Sequence, residues 1–253
     1  MTEQLQLPCP MLSGGERTVR VALPEGYAAK KNTRYPVLYC FDGQNLFYDE
    51  EAAFGASWRM ADYLKKSRVP VIIVGIDNCG DGDRRLAEYS PFSHGTEELG
   101  RVSGIGRSTM AFVTAIVKPA IDRAYRTLPD REHTFIAGSS MGGLMSLFAA
   151  THYSHVFGGA ACLSPSLWVH PKKAVAMVRD GDYPEHTLIY MDYGAEEMAN
   201  HEDSWRALTG CADALLTRCA DLTFRIVPDG THTETSWARQ VPIFMQCLGL
   251  AQK

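Results

Sequence analysis

The sequence lacks an apolar run long enough to cross a bilayer. Its most apolar stretch, residues 69–76, is much shorter than the roughly 20 residues that a transmembrane helix requires. The first ten residues alternate apolar with polar side chains and include two prolines, so they lack the apolar core of a signal peptide. These absences lead us to expect a cytoplasmic protein that does not insert into a membrane.

An excess of basic residues is also lacking. Lys and Arg together number 25 and Asp and Glu number 29, which gives a formal net charge of −4 at pH 7. Proteins that bind nucleic acids usually carry a basic patch and a positive charge. Neither a nucleic acid nor an anionic membrane surface is therefore an expected partner. Hydrophobic residues make up 45% of the chain, which is enough to bury a core and excludes a disordered protein.

Motifs that hold metals and cofactors are missing too. The seven cysteines are scattered and include no CxxC pair, and there is no HExxH motif, Walker loop or Cys/His cluster. We therefore predict reduced, structural thiols, and we expect neither a metal ion nor an organic cofactor.

Short apolar runs alternate along the chain with longer helix-like stretches. The predicted strands are 18–23, 35–41, 69–76, 134–137, 159–163, 188–192 and 222–227. The predicted helices are 58–66, 108–125, 141–151, 172–179, 204–218 and 235–248. This alternation indicates the α/β class, with a mostly parallel, twisted central sheet and helices on both faces. No repeat or linker interrupts it, so residues 1–253 are expected to form one domain.

One long segment, residues 79–106, departs from the alternation and is rich in glycine and charge. Loops of this length in a folded domain are usually functional or disordered. The segment follows a predicted strand, and ligands bind at the carboxyl ends of parallel strands. We therefore expect it to form part of a pocket wall.

The motif that carries chemistry is G-x-S-x-G at residues 138–142, between a predicted strand and an apolar helix. In this context the serine occupies a nucleophile elbow, a strained turn that lifts its hydroxyl clear of the backbone. The helix begins directly after Ser140, so its first amides favour negative charge there, and the N–H of Met141 is expected to be one oxyanion donor. Ser139 is the competing serine, but its neighbours do not fit the pattern.

A serine nucleophile requires a base and an acid, which follow it in the chain in the order serine, acid, histidine. Of the eight histidines, only His232 follows the last predicted strand, so we predict it as the base. The acid should follow strand 188–192, where Asp192 and Glu197 both qualify. Their positions alone do not separate the two carboxylates.

The second oxyanion donor is expected in the loop after strand 35–41. The sequence there reads DGQN at residues 42–45, and a glycine beside the strand end lets the backbone turn an N–H inward. The N–H of Gln44 is the first candidate and that of Gly43 the second.

Eight segments, in order along nearly the whole chain, resemble the Putative esterase branch of the α/β-hydrolase superfamily. This branch includes enterochelin-esterase-like proteins, S-formylglutathione hydrolases, feruloyl esterases and mycolyltransferases. The segments are YCFDGQNLF at 39–47, GIDN at 75–78, RLAEYSP at 85–91, PAID at 119–122, YRT at 125–127, GSSMGGL at 138–144, LSPSLW at 163–168 and HTETSW at 232–237. The resemblance implies the α/β-hydrolase fold and a serine–histidine–acid triad.

The resemblance also implies which carboxylate is the acid. In this branch the acid follows a glycine in a G-x-x-[DE] pattern, which selects Glu197 over Asp192. Thr233 stands where asparagine is common in the branch, a departure that leaves His232 intact.

Further residues are expected around the pocket. Arg85, Glu88 and Tyr89 match a recurrent R-x-x-E-Y segment, for which an ion pair that pins the long loop is favoured over contact with substrate. Candidate substrate-pocket residues are Asn45, Trp58 and Trp168.

These residues predict a serine carboxylic-ester hydrolase. Ser140 would form an acyl-enzyme on a small-molecule ester, His232 would carry the proton and Glu197 would orient the imidazole. The identity of the ester and the oligomeric state are left open. One alternative is an acyltransferase that uses the same acyl-enzyme. The other is a binding module that has lost the chemistry, against which the intact serine, histidine and acid argue.

Overall fold

The central sheet contains eight strands in the residues that the computed structural model describes, which are 2–12, 15–96, 100–200 and 202–251, without the side chains of 96, 198–200, 202 and 203. These strands are β1 (Thr2–Pro8), β2 (Glu16–Ala22), β3 (Val37–Phe41), β4 (Ile72–Ile76), β7 (Thr134–Ser139), β8 (Gly159–Leu163), β9 (Leu188–Gly194) and β10 (Asp221–Val227). Two short strands, β5 (His94–Thr96) and β6 (Gly100–Val102), form a separate hairpin.

The strand order is β1-β2-β4-β3-β7-β8-β9-β10. Strand β2 pairs antiparallel with both β1 and β4, and every other pair in this sheet is parallel. All residues of β3, β4, β7 and β8 are buried, which explains why these strands consist almost entirely of apolar residues and glycine, with Thr134 and Ser139 only at the ends of β7.

Helices cover both faces of this sheet. They are α1 (Met60–Ser67), α2 (Gly82–Glu88), α3 (Gly106–Phe112), α4 (Lys118–Ala124), α5 (Met141–His152), α6 (Pro171–Arg179), α7 (Glu202–Thr217), α8 (Glu234–Ala238) and α9 (Val241–Cys247). In the described ranges, none of the helices has both the length and the apolar character that crossing a membrane requires.

The side chains of β3 show how the two faces are filled. Val37, Tyr39 and Phe41 belong to one buried cluster, whereas Leu38 and Cys40 belong to the other. Successive side chains of a strand point to opposite faces of the sheet. The first cluster also contains residues of α5, α6 and α7, and the second contains residues of α1 and α9. The predicted α/β architecture is confirmed.

Two predicted helices differ from the structure. The helix expected over 235–248 is in fact two helices, α8 and α9, and Pro242 in the first turn of α9 has no N–H to continue the preceding helix. The helix expected over 108–125 contains a π-helical segment, Val113–Val117, between α3 and α4.

The segment 79–106 has more regular structure than the sequence indicated. It contains α2 and the β5–β6 hairpin, while its residues 97–99 lie outside the described residues. Asp81 begins α2, because its Oδ1 accepts a hydrogen bond from the N–H of Arg84 at 3.1 Å. The segment starts after β4 and therefore lies at the carboxyl end of the parallel strands.

Candidate active site

Ser140 lies in the tight turn between β7 and α5. Its backbone has φ 57° and ψ −124°, a conformation that costs energy for a residue with a side chain. A Cβ on Gly138 would lie 2.5 Å from the backbone carbon of Gly142, so this turn can form only with glycine at position 138. The geometry is that of a nucleophile elbow.

The side chains of Ser140, His232 and Glu197 form one chain of hydrogen bonds. Ser140 Oγ lies 2.9 Å from His232 Nε2, and His232 Nδ1 lies 2.6 Å from Glu197 Oε2. The three residues follow β7, β10 and β9, whose carboxyl ends meet at one edge of the sheet. A serine hydrogen-bonded to an imidazole that contacts a carboxylate is the arrangement that activates serine nucleophiles.

Glu197 is held in place by neighbouring donors. It is 4% exposed, and its Oε1 accepts hydrogen bonds from Ser164 Oγ at 2.7 Å and from the N–H of Gly194 at 3.1 Å. The indole N–H of Trp237 in turn donates to Ser164 Oγ at 3.0 Å. The ring of Trp237 also meets the His232 ring edge to face, with centroids 5.0 Å apart. These contacts fix the orientation of both the carboxylate and the imidazole.

Asp192, the other candidate acid, is directed elsewhere. Its Oδ1 accepts from the N–H of Ser164 at 3.1 Å, and its Oδ2 accepts from Tyr190 Oη at 2.7 Å. In the part of the chain that the structure describes, it makes no hydrogen bond to His232. Burial raises the pKa of Asp192 to about 6. Asp192 therefore braces the turn after β8.

The two expected oxyanion donors are each near the start of a helical segment. Met141 is the first residue of α5, and Gln44 is the middle residue of a 3₁₀ turn, Gly43–Asn45. The first N–H groups of a helical segment have no acceptor within it, so they are free to bind a ligand. A Cβ on Gly43 would lie 2.6 Å from the backbone carbon of Gly75, which requires glycine at the start of the turn.

Gln44, Ser140 and His232 line a cavity of about 870 Å³. The other lining residues divide into a short apolar group, formed by Ala53, Phe54 and Ala56, and a mainly polar group that includes Asp77, Asn78, Asp81, Arg85 and Glu234. Phe54 is 79% exposed at this cavity. Sequence reasoning missed Phe54, which stands in an unpatterned stretch, and Glu234, which lies within the HTETSW segment.

Among the described residues, no group of three or more His, Cys, Asp or Glu side chains could hold a metal ion.

Of the three predicted pocket residues, one lines the cavity and two do not. Asn45 does line the cavity. Trp58 does not line it, because its ring is buried in the core and packs against the ring of Phe244, with ring centroids 6.3 Å apart. Trp168 does not either, because it is packed against the cluster on the other side of the sheet. The prediction of Trp58 and Trp168 as pocket walls is therefore wrong for the cavity around Ser140, as far as the described residues define it.

The R-x-x-E-Y segment pins α2 through the expected ion pairs. Arg85 donates from Nε to Asp42 Oδ1 at 2.7 Å and from Nη2 to Oδ2 at 2.6 Å. Glu88 accepts two bonds of 3.0 Å from Arg17 on β2. Tyr89 Oη accepts from the N–H of Asp42 at 3.2 Å. Two of the three side chains therefore bind the residue that directly precedes the turn carrying Gln44.

The eight-stranded, mostly parallel sheet with helices on both faces is the α/β-hydrolase fold. A solved structure with the same fold, an IroE-like serine hydrolase from Shewanella oneidensis, superposes with a TM-score of 0.75. It is 22% identical in sequence, and the match covers 98% of this chain and 79% of that one.

The family model described as Putative esterase matches residues 11–243, and the chain belongs to this family. The family predicted from the eight segments is thereby confirmed, and the protein is an esterase. A relative in Bacillus subtilis strain 168, the uncharacterised protein YbbA, is 25% identical over 190 residues, which are 72% of this chain and 70% of that protein. The iron(III) salmochelin esterase of Escherichia coli O6:H1 is 30% identical over 105 residues, 42% of this chain and 22% of that protein.

Proposed function

We propose that the protein is a serine carboxylic-ester hydrolase that works through an acyl-enzyme on Ser140, within a single catalytic domain of residues 1–253. The observation that carries the proposal is the hydrogen-bond chain from Ser140 Oγ through His232 to Glu197, with distances of 2.9 Å and 2.6 Å. The first distance lets His232 Nε2 remove the proton of Ser140 directly, and the second is a hydrogen bond that orients the imidazole.

In the first half of the reaction, Ser140 Oγ attacks the ester carbonyl carbon while its proton passes to His232 Nε2. The carbonyl oxygen becomes an oxyanion that accepts hydrogen bonds from the N–H groups of Met141 and Gln44. One such donor contributes about 10²–10³-fold to kcat in a well-studied serine protease. The bond to the leaving oxygen then breaks, and this oxygen takes the proton from His232 as the alcohol departs.

In the second half, His232 removes a proton from water, whose oxygen attacks the acyl carbon. The bond to Ser140 breaks, the proton returns to Ser140 Oγ, and the carboxylic acid is released. Glu197 accepts from the Nδ1–H of His232 throughout. It thereby leaves Nε2 free to act as the base, and it stabilises the imidazolium in each half-reaction.

The expected substrate is a small-molecule ester. The cavity of about 870 Å³ falls within the size range of pockets that bind small ligands. The relative named iron(III) salmochelin esterase is in keeping with this class, although it matches over only 42% of this chain.

A labelling and hydrolysis experiment tests the proposal. The wild type, S140A and S139A are treated with a fluorophosphonate probe and assayed on p-nitrophenyl esters of increasing acyl length. We expect the wild type and S139A to react with the probe and to hydrolyse at least one ester, and S140A to do neither. A thermal melt checks that S140A is folded, as expected for a side chain without a role in the core.

Other outcomes would overturn the proposal. Labelling of S140A together with loss of labelling in S139A would move the nucleophile to the neighbouring serine. An unlabelled, inactive wild type would favour a binding module instead. If an added alcohol captures the acyl group faster than water does, the protein is an acyltransferase rather than a hydrolase.

A further inference from the structure

The turn that carries Gln44 is held at both of its ends by side chains from other elements. Asp42 directly precedes the turn, and Asn45 is its last residue. Hydrogen bonds within the turn fix its shape, but its position relative to Ser140 depends on what holds these two residues.

At the first end, Asp42 has φ 56° and ψ 51°, which is left-handed backbone. A residue other than glycine keeps such a conformation only where its surroundings hold it there. Both carboxylate oxygens of Asp42 are occupied: Arg85 binds them at 2.7 and 2.6 Å, and Asn78 Nδ2 donates to Oδ1 at 2.7 Å. The Asp42 side chain is only 8% exposed, so solvent does not replace these donors.

At the second end, Asn45 Nδ2 donates to Glu234 Oε1 at 3.1 Å. Glu234 is 7% exposed and is two residues from His232 in the chain. Asn45 Oδ1 accepts from the N–H of Ala53 at 3.0 Å, so the amide is bonded on both sides. This contact joins the turn with the oxyanion donor directly to the segment with the base.

We propose that Arg85 and Glu234 are positioning residues of this esterase, which hold the Asp42–Asn45 turn so that the N–H of Gln44 meets the developing oxyanion. The inference rests on the proposed function. Arg85 acts through Asp42 and Glu234 acts through Asn45, and neither needs to touch the substrate. A shift of about 1 Å in a catalytic group is sufficient to cost on the order of 10²-fold in rate.

The competing explanation is that both side chains line the cavity because they bind charged parts of a substrate. The two explanations differ in what they require. Positioning requires the paired donors of Arg85 and an oxygen acceptor on Glu234, with no need for its negative charge. Substrate binding requires the charges, and its loss appears in KM for charged esters.

The experiment measures kcat and KM for R85K, E234A and E234Q on a neutral ester and on matched esters with anionic and cationic acyl groups. Lysine cannot form the two parallel bonds to Asp42. We expect R85K and E234A to lower kcat about 10- to 100-fold on every ester, with KM within about threefold. E234Q keeps the acceptor for Asn45 and should retain most of the wild-type kcat.

Arg17 provides the matched control, because it forms the same kind of paired salt bridge with Glu88 on the same helix as Arg85 and does not line the cavity. R17K should lower the melting temperature and leave kcat within about threefold of the wild type. A trifluoromethyl ketone, whose serine adduct carries an oxyanion, adds a second readout. Its inhibition constant should rise in R85K and E234A in proportion to the loss of kcat.

The results separate the two levels of inference. If the wild type hydrolyses esters but R85K behaves like R17K, positioning by Arg85 is wrong and the esterase proposal stands. The same holds if R85K alters only KM for anionic esters. If E234Q is as impaired as E234A, positioning by Glu234 is wrong, and the esterase proposal again stands. If the wild type hydrolyses none of the esters and Ser140 is unlabelled, the proposed function itself fails.

Discussion

Ser164 lies between Glu197 and Asp192 and binds each through a different atom. Its Oγ donates to Glu197 Oε1 at 2.7 Å, while its backbone N–H donates to Asp192 Oδ1 at 3.1 Å. Of these two carboxylates, only Glu197 also binds His232, with its Oε2 2.6 Å from His232 Nδ1. The two buried carboxylates therefore make different contacts. Glu197 binds the His232 ring, whereas Asp192 holds the backbone of Ser164, whose hydroxyl binds Glu197.

The amide variants of the two carboxylates should separate these tasks. E197Q replaces an acceptor of the His232 Nδ1–H by a group that also stabilises the wrong tautomer, and we expect kcat to fall on the order of 10²-fold or more. D192N should keep kcat within about tenfold of the wild type and lower stability instead. Steady-state kinetics and urea unfolding of both variants check this. A larger loss of kcat in D192N than in E197Q would contradict the assignment.

Burial of Asp192 should make stability depend on pH in a defined direction. Because burial raises its pKa to about 6, the folded state holds the proton more tightly than the unfolded state, whose Asp pKa is about 3.9. The contribution of Asp192 to the free energy of unfolding therefore decreases as pH rises from about 4 to 6, and it stays low at higher pH. The shift corresponds to about 3 kcal/mol.

Urea unfolding of the wild type and D192N between pH 4 and 7 measures this contribution. The difference between the two unfolding free energies should change by up to about 3 kcal/mol across that range, with the wild type gaining relative to D192N as the pH falls. Parallel curves would mean that Asp192 titrates alike in the folded and unfolded states, contrary to the prediction.

The parts of the fold that the sequence predicted well are those whose signal is local. The buried strands β3, β7 and β8 are built around short apolar runs, and the elbow requires glycines at fixed spacing around Ser140. Strand β1 was missed because it is an edge strand with mixed exposure. Its alternating pattern ends at Pro8 and is followed by Pro10, and two closely spaced prolines are typical of a loop.

Side-chain direction was the weakest part of the sequence reasoning. Trp58 comes after the segment YCFDGQNLF and Trp168 ends the segment LSPSLW, but both side chains pack into the hydrophobic clusters and do not line the cavity around Ser140. Glu197 and Asp192 could not be separated by position, since only four residues lie between them and Glu197 stands in a short 3₁₀ turn, Ala195–Asn200, directly after β9. Only the tertiary contact of Glu197 with His232 distinguishes them.

Gly138 should be intolerant of a methyl group. A Cβ there would lie 2.5 Å from both the carbon and the oxygen of Gly142, so backbone must move to make room. We expect G138A to lose about 3 kcal/mol of stability or to fold poorly, and to lose activity with it. G82A is the matched control, because a Cβ at Gly82 meets no atom within 4 Å. Equal melting temperatures for G138A and G82A would contradict the predicted clash.

Removing the hydroxyl of Ser164 should weaken both stability and catalysis. In S164A, Glu197 Oε1 keeps only the N–H of Gly194, and the buried indole N–H of Trp237 loses its acceptor. An unpaired buried donor costs about 1–3 kcal/mol, which a urea titration resolves. We expect kcat to fall about tenfold, less than in E197Q, because the bond from Glu197 to His232 is still present.

Ser166 provides the control for S164A, because it is also buried and its Oγ lies 3.2 Å from Ser140 Oγ without contacting Glu197 in the described residues. S166A should leave kcat within about threefold, since the carboxylate that orients His232 is untouched. If S166A lowers kcat more than S164A does, the contact with Ser140 matters more than the support of Glu197. If S164A has wild-type kcat and wild-type stability, the Ser164 hydroxyl does not hold the acid, and Gly194 alone is sufficient to orient Glu197.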